Sequence, residues 1–510
     1  GPDSGLPGDS LPASASGARA RAHGVLGQMR RLLVERVAGY NPAQSPAPSP
    51  ALTTALVHAS TQAAAPGSTL VAEPAVYDNA AVAQVAQDLR ARTNELKRRA
   101  GTPSEKALIE IVALMFQSIL AEERLPPSVR VWFARLQMPV LRVALEEPEF
   151  FDSLHHPARL LIDRMGACVL GFDAASIGGS ELEEEIRRVV LLIEQYPDTG
   201  RKVFLLAHEE FQKFLSRYLT DKGATRRVVS VAQQVEQRET LSVRYTIELR
   251  KMLDDMPVSP EVREFLFKVW AEVMAVAAVR QGTQHPDTVA LMKAAAELVW
   301  AAGAKPEREQ RARVIRELPG LLQRLRQGMA LVGLSPAEEE TQIKRISDAL
   351  AAAFQSRAAP IPTARIEAIA DRLASLEVMA GSSDTDMPLD PQALEMLLGP
   401  DAEGITVICD GGTPPGAAAK AWAHELQPGA WFSLDHNDRR VLVQYAWRSE
   451  GRQLHLFTTH EGPCFLLQSG RLAAYLQAGL MVPHEDEALT VRATRDALVK
   501  LGANPERLLA

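Results

Sequence analysis

Cysteine is nearly absent. Cys168, Cys409 and Cys464 are the only three in 510 residues. Their odd number and wide spacing exclude a disulfide framework and fit a reducing compartment, so the chain is expected to be cytoplasmic. No surplus of positive charge exists either. Lys and Arg total 56 against 63 Asp and Glu, a net charge of −7, which gives no footing for general nucleic-acid binding, where a basic face must neutralise phosphates. Long apolar runs are missing too. Arg, Glu or Gln interrupts every candidate before the roughly 18 to 20 residues that a membrane-spanning helix needs, so no transmembrane segment is expected. Aromatic residues make up 5% of the chain.

Motifs of the common catalytic classes are also lacking. There is no GxxxxGK loop followed by Ser or Thr, no GxGxxG and no GxSxG elbow. The run GGTPPG at Gly411–Gly416 lacks the basic side chain and hydroxyl of a phosphate loop and reads as linker. AHEEF at Ala207–Phe211 resembles a zincin helix, but Gln212 stands where the second His must be. His455, His460 and Cys464, even with His424 or His436, match no zinc-finger or ribbon spacing. No metal and no cofactor are expected.

What the chain does contain is patterned helix. Residues 1–17 are rich in Gly, Pro, Ser and Ala and predict disorder. The start has no initiator Met and no signal-like apolar region, and reads as a processing scar or the edge of a longer protein. A short amphipathic helix follows at Ala18–Val37, expected to pack on its own domain. The alternative is docking to a partner or a membrane surface. Clustered Pro makes Asn41–Pro74 a linker. From Asn79 to Phe354 helical period dominates, with helices at about 103–125, 128–145, 158–165, 182–195, 201–219, 226–253, 260–280, 286–301, 305–326 and 336–354. Pro139 should kink the second of these. No fixed repeat is found, so an irregular multi-helix domain is favoured over a curved array.

Residues 357–428 read as a linker holding one helix, Thr363–Ala380. The period then turns to alternation. Short strands at Trp431–Leu434, Arg440–Trp447, Gln453–Thr459 and Cys464–Leu467, joined by HNDR, SEGR and HEGP turns, predict an antiparallel meander. Helices at Ser469–Gly479 and Val491–Leu501 should close it. The fold class is therefore mainly α: a large irregular multi-helix domain followed by a small antiparallel β-barrel-like domain with C-terminal helices. The expected boundaries are 1–78 linker and amphipathic helix, 79–356 helical domain, 357–428 linker, and 429–510 β domain.

The densest signature spans Ile109–Met165. Leu136, Gln137, Pro139, Leu141, Val143, Ala144 and Leu145 are followed by Phe150-Phe151 and by His156-Pro157-Ala158-Arg159. In these residues the chain resembles a family of large bacterial proteins known as domain of unknown function 1631. Members usually have more chain before this point, so the resemblance implies a fragment. It also implies a compact C-terminal β domain, matched here by Gly429, Trp431, Trp447, Ser449, Leu456 and Phe457. That domain resembles a degenerate PilZ barrel, the fold of cyclic-dinucleotide receptors. A ligand-competent PilZ barrel carries an RxxxR arm and a (D/N)xSxxG strand. Arg448 and Arg452 satisfy RxxxR only across a turn, and the second string is absent. Some members carry a thymidine phosphorylase label, but the Gly-rich phosphate motifs of such an enzyme are missing.

His155, His156, Arg159 and Asp163 form the most catalytic-looking cluster, because imidazole titrates near neutrality. A structural turn with an Arg159–Asp163 pair along the new helix is the stronger reading. Glu181, Glu183, Glu184 and Glu185 open a helix, where its dipole favours negative charge. Trp431 and Trp447 read as barrel core before they read as stacking platforms. The expectation is a non-enzymatic regulatory or adaptor protein that binds a protein partner through its helical domain. The alternative is a cyclic-dinucleotide-responsive receptor using Arg439, Arg440, Arg448 and Arg452, and an enzyme ranks below both.

Overall fold

The computed structural model describes residues 15–44, 47–64, 78–171, 180–197, 200–376 and 386–510. Expectations for residues 1–14 and 65–77 fall outside these. Among the described residues the chain is mainly helical, as its periodicity predicts, and carries a six-stranded sheet where four strands were expected. It packs as two units. The first comprises residues 1–226, 403–448 and 455–510, and the second residues 227–402 and 449–454.

In the first unit, α1 (Ala15–Arg36) buries Leu26, Met29 and Leu33, so the amphipathic helix packs on its own unit. α2 (Pro50–Ala64) lies inside the stretch read as linker. Pro50 stands at its first position, where the missing N–H costs nothing, and Leu52 and Leu56 are buried. α3 (Asn79–Arg99) and α4 (Pro103–Leu120) follow, each with a side-chain N-cap, from Asp78 and Thr102. The predicted kinked helix is two helices, α5 (Pro127–Ala134) and α6 (Gln137–Glu146). Pro139 lies in the first turn of α6, so the chain breaks before it instead of bending at it. The one-turn α7 (Glu149–Asp152), α8 (Pro157–Val169), α9 (Glu181–Gln195) and α10 (Arg201–Thr220) complete this bundle. Its core includes Phe116, Phe133, Leu141, Phe150, Phe151, Leu161 and Phe204.

The second unit holds most of α11 (Gly223–Leu253), then α12 (Pro260–Phe265), a π turn at Leu266–Trp270 and α13 (Ala271–Gln281). α14 (Pro286–Ala302), α15 (Arg308–Leu331), α16 (Pro336–Ala353), α17 (Thr363–Ala374) and α18 (Pro391–Leu398) follow. Ile366, Ile369 and Leu373 of α17 are part of its core, so that stretch is packed structure and not hinge. Glu236, 3% exposed, accepts from the backbone N–H groups of Gly451 (2.5 Å) and Gln453 (3.3 Å).

The sheet lies in the first unit. Its strands are β1 (Ile405–Ile408), β2 (Trp431–His436), β3 (Arg439–Arg448), β4 (Leu454–Thr458), β5 (Cys464–Gln468) and β6 (Met481–Pro483), in the order β1-β5-β4-β3-β2-β6. The four meander strands fall where alternation placed them. β1 and β6 are too short to show a period. β1 pairs with β5 in parallel, which a pure antiparallel meander does not anticipate. Asn437 and Asp438, with φ of 52° and 57°, make the tight β2–β3 turn. α19 (Ala417–Glu425) and α20 (Ser469–Ala478) cover one face, burying Ala419, Ala423, Leu472 and Leu476 against Phe432, Val443, Tyr445 and Leu467. The last helix, α21 (Leu489–Ala503), does not close the sheet. Its Leu489, Ala493, Ala497 and Leu501 belong to the helical core.

Candidate functional site

The catalytic-looking cluster is a structural clasp. His156 caps α8: its Nδ1 accepts from the Ala158 N–H at 3.2 Å, and its Nε2 lies 2.7 Å from Glu147. Burial, opposed by Glu147, lowers its pKa. Arg159 is fully buried. It donates from Nε to the Phe150 carbonyl at 2.6 Å, and from Nη1 to the Thr490 carbonyl at 3.3 Å and the Thr494 hydroxyl at 3.2 Å. Burial pulls its guanidinium down to about 10. Asp163 does not close an ion pair with Arg159. Its carboxylate accepts from the Thr490 N–H at 2.7 Å and from the Thr490 hydroxyl at 2.8 Å, satisfying orphan donors at the start of α21. Burial pushes this carboxyl up to about 6, against those two hydrogen bonds. His155 is exposed and stands apart from these contacts.

The Gly429–Trp431 element is likewise a docking device. Trp431 donates its indole N–H to the Cys168 carbonyl at 3.0 Å and stacks on His460, with centroids 5.0 Å apart. A Cβ on Gly171 would fall inside the indole. Gly429 has φ of 102°, and a Cβ there would sit 2.7 Å from the Cys168 sulfur. Trp431 is buried against the helical bundle, on the sheet face opposite Phe432 and not in the barrel core where it was expected, while Trp447 is half-buried beside a bulge in β3. Sequence reading missed a third network. His455 lies 2.5 Å from the Tyr445 hydroxyl and 2.7 Å from the Ser469 hydroxyl. Tyr445 and His455 are 0% and 2% exposed, so this chain reads as a brace between β3, β4 and α20. Residues of such different spacing leave no motif to find it by.

An open concave surface, a cleft of about 690 Å³, lies at the β2–β3 turn end of the sheet. Its floor is Leu434, Val441 and Phe465, the continuation of the covered face beyond α20. The registers Leu434↔Val441, His436↔Arg439 and Thr406↔Phe465 set these pairs side by side. Its rim carries His436, Asn437, Arg439, Thr459, His460 and Glu461. The His436 Nδ1 lies 3.1 Å from the Tyr475 hydroxyl, which in turn donates to the Asp410 carbonyl at 3.2 Å.

The four arginines expected to bind ligand are not together. Arg439 lines the cleft, and Arg440 next to it on β3 points to the other face. Arg448 lies at the far end of β3, nine residues on and roughly 30 Å along the strand. It donates to the Leu426 carbonyl at 3.4 Å. Arg452 has φ of 57° in the turn that belongs to the second unit. His436 and His460 share the cleft rim, while His455 and Cys464 are buried elsewhere. Among the described residues no group of three or more His, Cys, Asp or Glu could hold a metal ion, and no helix is long and apolar enough to cross a membrane.

Fold and cleft together define a mainly helical protein carrying a small half-barrel with an open, polar-rimmed face. Three family models match in succession: Protein of unknown function (DUF1631) 2nd domain at residues 46–200, third domain at 231–347, and C-terminal tudor domain at 418–484. They cover more than half of the chain, and the chain belongs to the DUF1631 family. The half-barrel is matched as a tudor domain, not as the PilZ barrel expected from its sequence. No curated protein and no solved structure matches the chain.

Proposed function

We propose that this protein is a non-enzymatic adaptor that receives a polypeptide segment of a partner protein in the half-barrel cleft. The supporting observation is the make-up of that cleft. An apolar floor of Leu434, Val441 and Phe465 is bordered by one guanidinium (Arg439), one carboxylate (Glu461), an amide, two hydroxyls and two imidazoles. Mixed charge over apolar ground suits a peptide, which offers donors, acceptors and side chains together. It suits a dianionic cyclic dinucleotide poorly, because Glu461 opposes the single lining arginine. His156 and Arg159 of the DUF1631 signature are committed to the clasp, which further favours binding over chemistry.

A second reading places the partner on the helical part, where Leu191, Tyr196, Leu205 and Leu206 are 40 to 50% exposed around the α9–α10 turn. Exposed apolar groups of this kind mark interaction surfaces when they are contiguous. Partner recovery from cells, quantified by mass spectrometry, tests the primary reading. Arg439→Ala with His460→Ala should lower recovery about tenfold, the loss expected for one charged contact, while Arg357→Ala should not. Undiminished recovery from the double variant contradicts it. So does a saturable rise in melting temperature with cyclic di-GMP that disappears in Arg439→Ala.

A further inference from the structure

A pocket of about 360 Å³ opens in the second unit between α13, α14 and α15. Its apolar walls are Val276, Ala277, Ala290, Leu291 and Leu331. Trp270 braces two of these helices from behind. It ends the π turn at Leu266–Trp270, its ring lies so close to Gly328 of α15 that a Cβ there would overlap it, and its indole N–H donates to the Leu291 carbonyl of α14 at 2.9 Å. π turns within helices recur at functional sites, and a pocket braced in this way is formed before any ligand arrives. The polar rim is Arg280, Gln281, Asp287, Arg324 and Gln327. Arg324 is set against Glu297, to which it donates from Nη2, and its Nε is buried without an acceptor. Asp287 stands in the first turn of α14, where the helix dipole offsets its charge. Arg280 is exposed, and among the described residues no carboxylate pairs with it. Its place in the last turn of α13 accounts for a cation, but not for the apolar hollow beside it.

We propose that this pocket binds a small organic monoanion, with its carboxylate on Arg280 and its apolar body against Val276, Ala277 and Leu291. One surplus positive charge remains once Arg324 is set against Glu297 and Asp287 against the start of α14, which suits a carboxylate better than a phosphate dianion. The planar guanidinium fork matches a carboxylate edge, and pockets of this volume take small molecules. The site is separate from the half-barrel cleft and shares no lining residue with it.

The test uses the full chain, with melting temperature and calorimetry as readouts. Octanoate or phenylacetate should raise the melting temperature saturably, and octanamide and phenylacetamide, their neutral counterparts, should not. Tighter binding of octanoate supports an aliphatic body in the pocket, and tighter binding of phenylacetate an aromatic one. Arg280→Met, at an exposed position, should weaken the apparent affinity about tenfold, the loss of one charged hydrogen bond. Ala290→Phe, at an exposed position of the wall, should fill the hollow and abolish the shift, while Arg357→Met should bind as the wild type does. Any of four results overturns the proposal: no saturable shift with either acid, equal binding of the amides, inorganic phosphate matching the tighter acid, or unchanged affinity in the folded Arg280→Met and Ala290→Phe variants.

Discussion

Arg159 shows how a residue that looks like chemistry can be committed to packing. Its guanidinium joins the carbonyl of Phe150 to the carbonyl and hydroxyl of Thr490 and Thr494, so three acceptors on two elements depend on it. Arg159→Met should cost about 3 to 5 kcal/mol in denaturant unfolding, since it leaves buried acceptors unpaired. His155→Ala, at an exposed position, should stay within about 0.5 kcal/mol. Asp163 makes a prediction of opposite sign to ordinary acid denaturation. Its folded pKa of about 6 lies above the unfolded value near 3.9. Between roughly pH 4 and 6 the native state therefore binds more protons than the unfolded state, and this group's contribution falls as pH rises. Asp163→Asn should remove that dependence, so the stability of the wild type relative to the variant should decline from pH 4 to pH 6 in urea titrations. At this scale the sequence was partly legible. The turn and helix start at His156–Pro157 could be read from residue type, but the partner of Asp163 lies 327 positions away at Thr490, beyond any local pattern.

Among the elements, long periodic helices and alternating strands were readable because each repeats its apolar face several times. α2 was hidden because Pro50 was counted as a breaker, although it occupies the helix position that tolerates it. β1 and β6 were hidden because four and three residues hold no period. α21 was visible as a helix but not in its destination, since an apolar stripe does not say which core it enters. That destination matters for how the half-barrel is studied. A fragment holding only residues 427–510 would expose Leu489, Ala493, Ala497 and Leu501 of α21, so binding should be measured on the full chain. The Gly429–Trp431 element gives the prediction at this scale. Gly429→Val should destabilise the first unit by more than about 2 kcal/mol, because it adds a side chain against Cys168 at a positive φ. A variant unfolding at the wild-type midpoint would remove the close-approach explanation for that signature.

For the whole molecule, the DUF1631 signature marks what holds the first unit together, and the half-barrel cleft lies elsewhere. Leu136, Gln137, Phe150, Phe151, His156 and Arg159 are all buried, whereas the cleft rim carries Asn437, Arg439, His460 and Glu461 exposed to solvent. This is why the sequence made the fold class legible and the candidate site hardly so: a core repeats and a rim does not. Of the four arginines expected to bind ligand, only Arg439 lines the cleft. The central claim is that a partner polypeptide lies in this cleft. It is tested most directly with a photo-crosslinking amino acid placed at Val441 in the cleft floor, and separately at Leu206 beside the α9–α10 turn, in the full chain in living cells. The account predicts a discrete protein adduct from position 441 that Arg439→Ala weakens, and none from position 206. An adduct from position 206 alone would contradict it and move the partner to the helices.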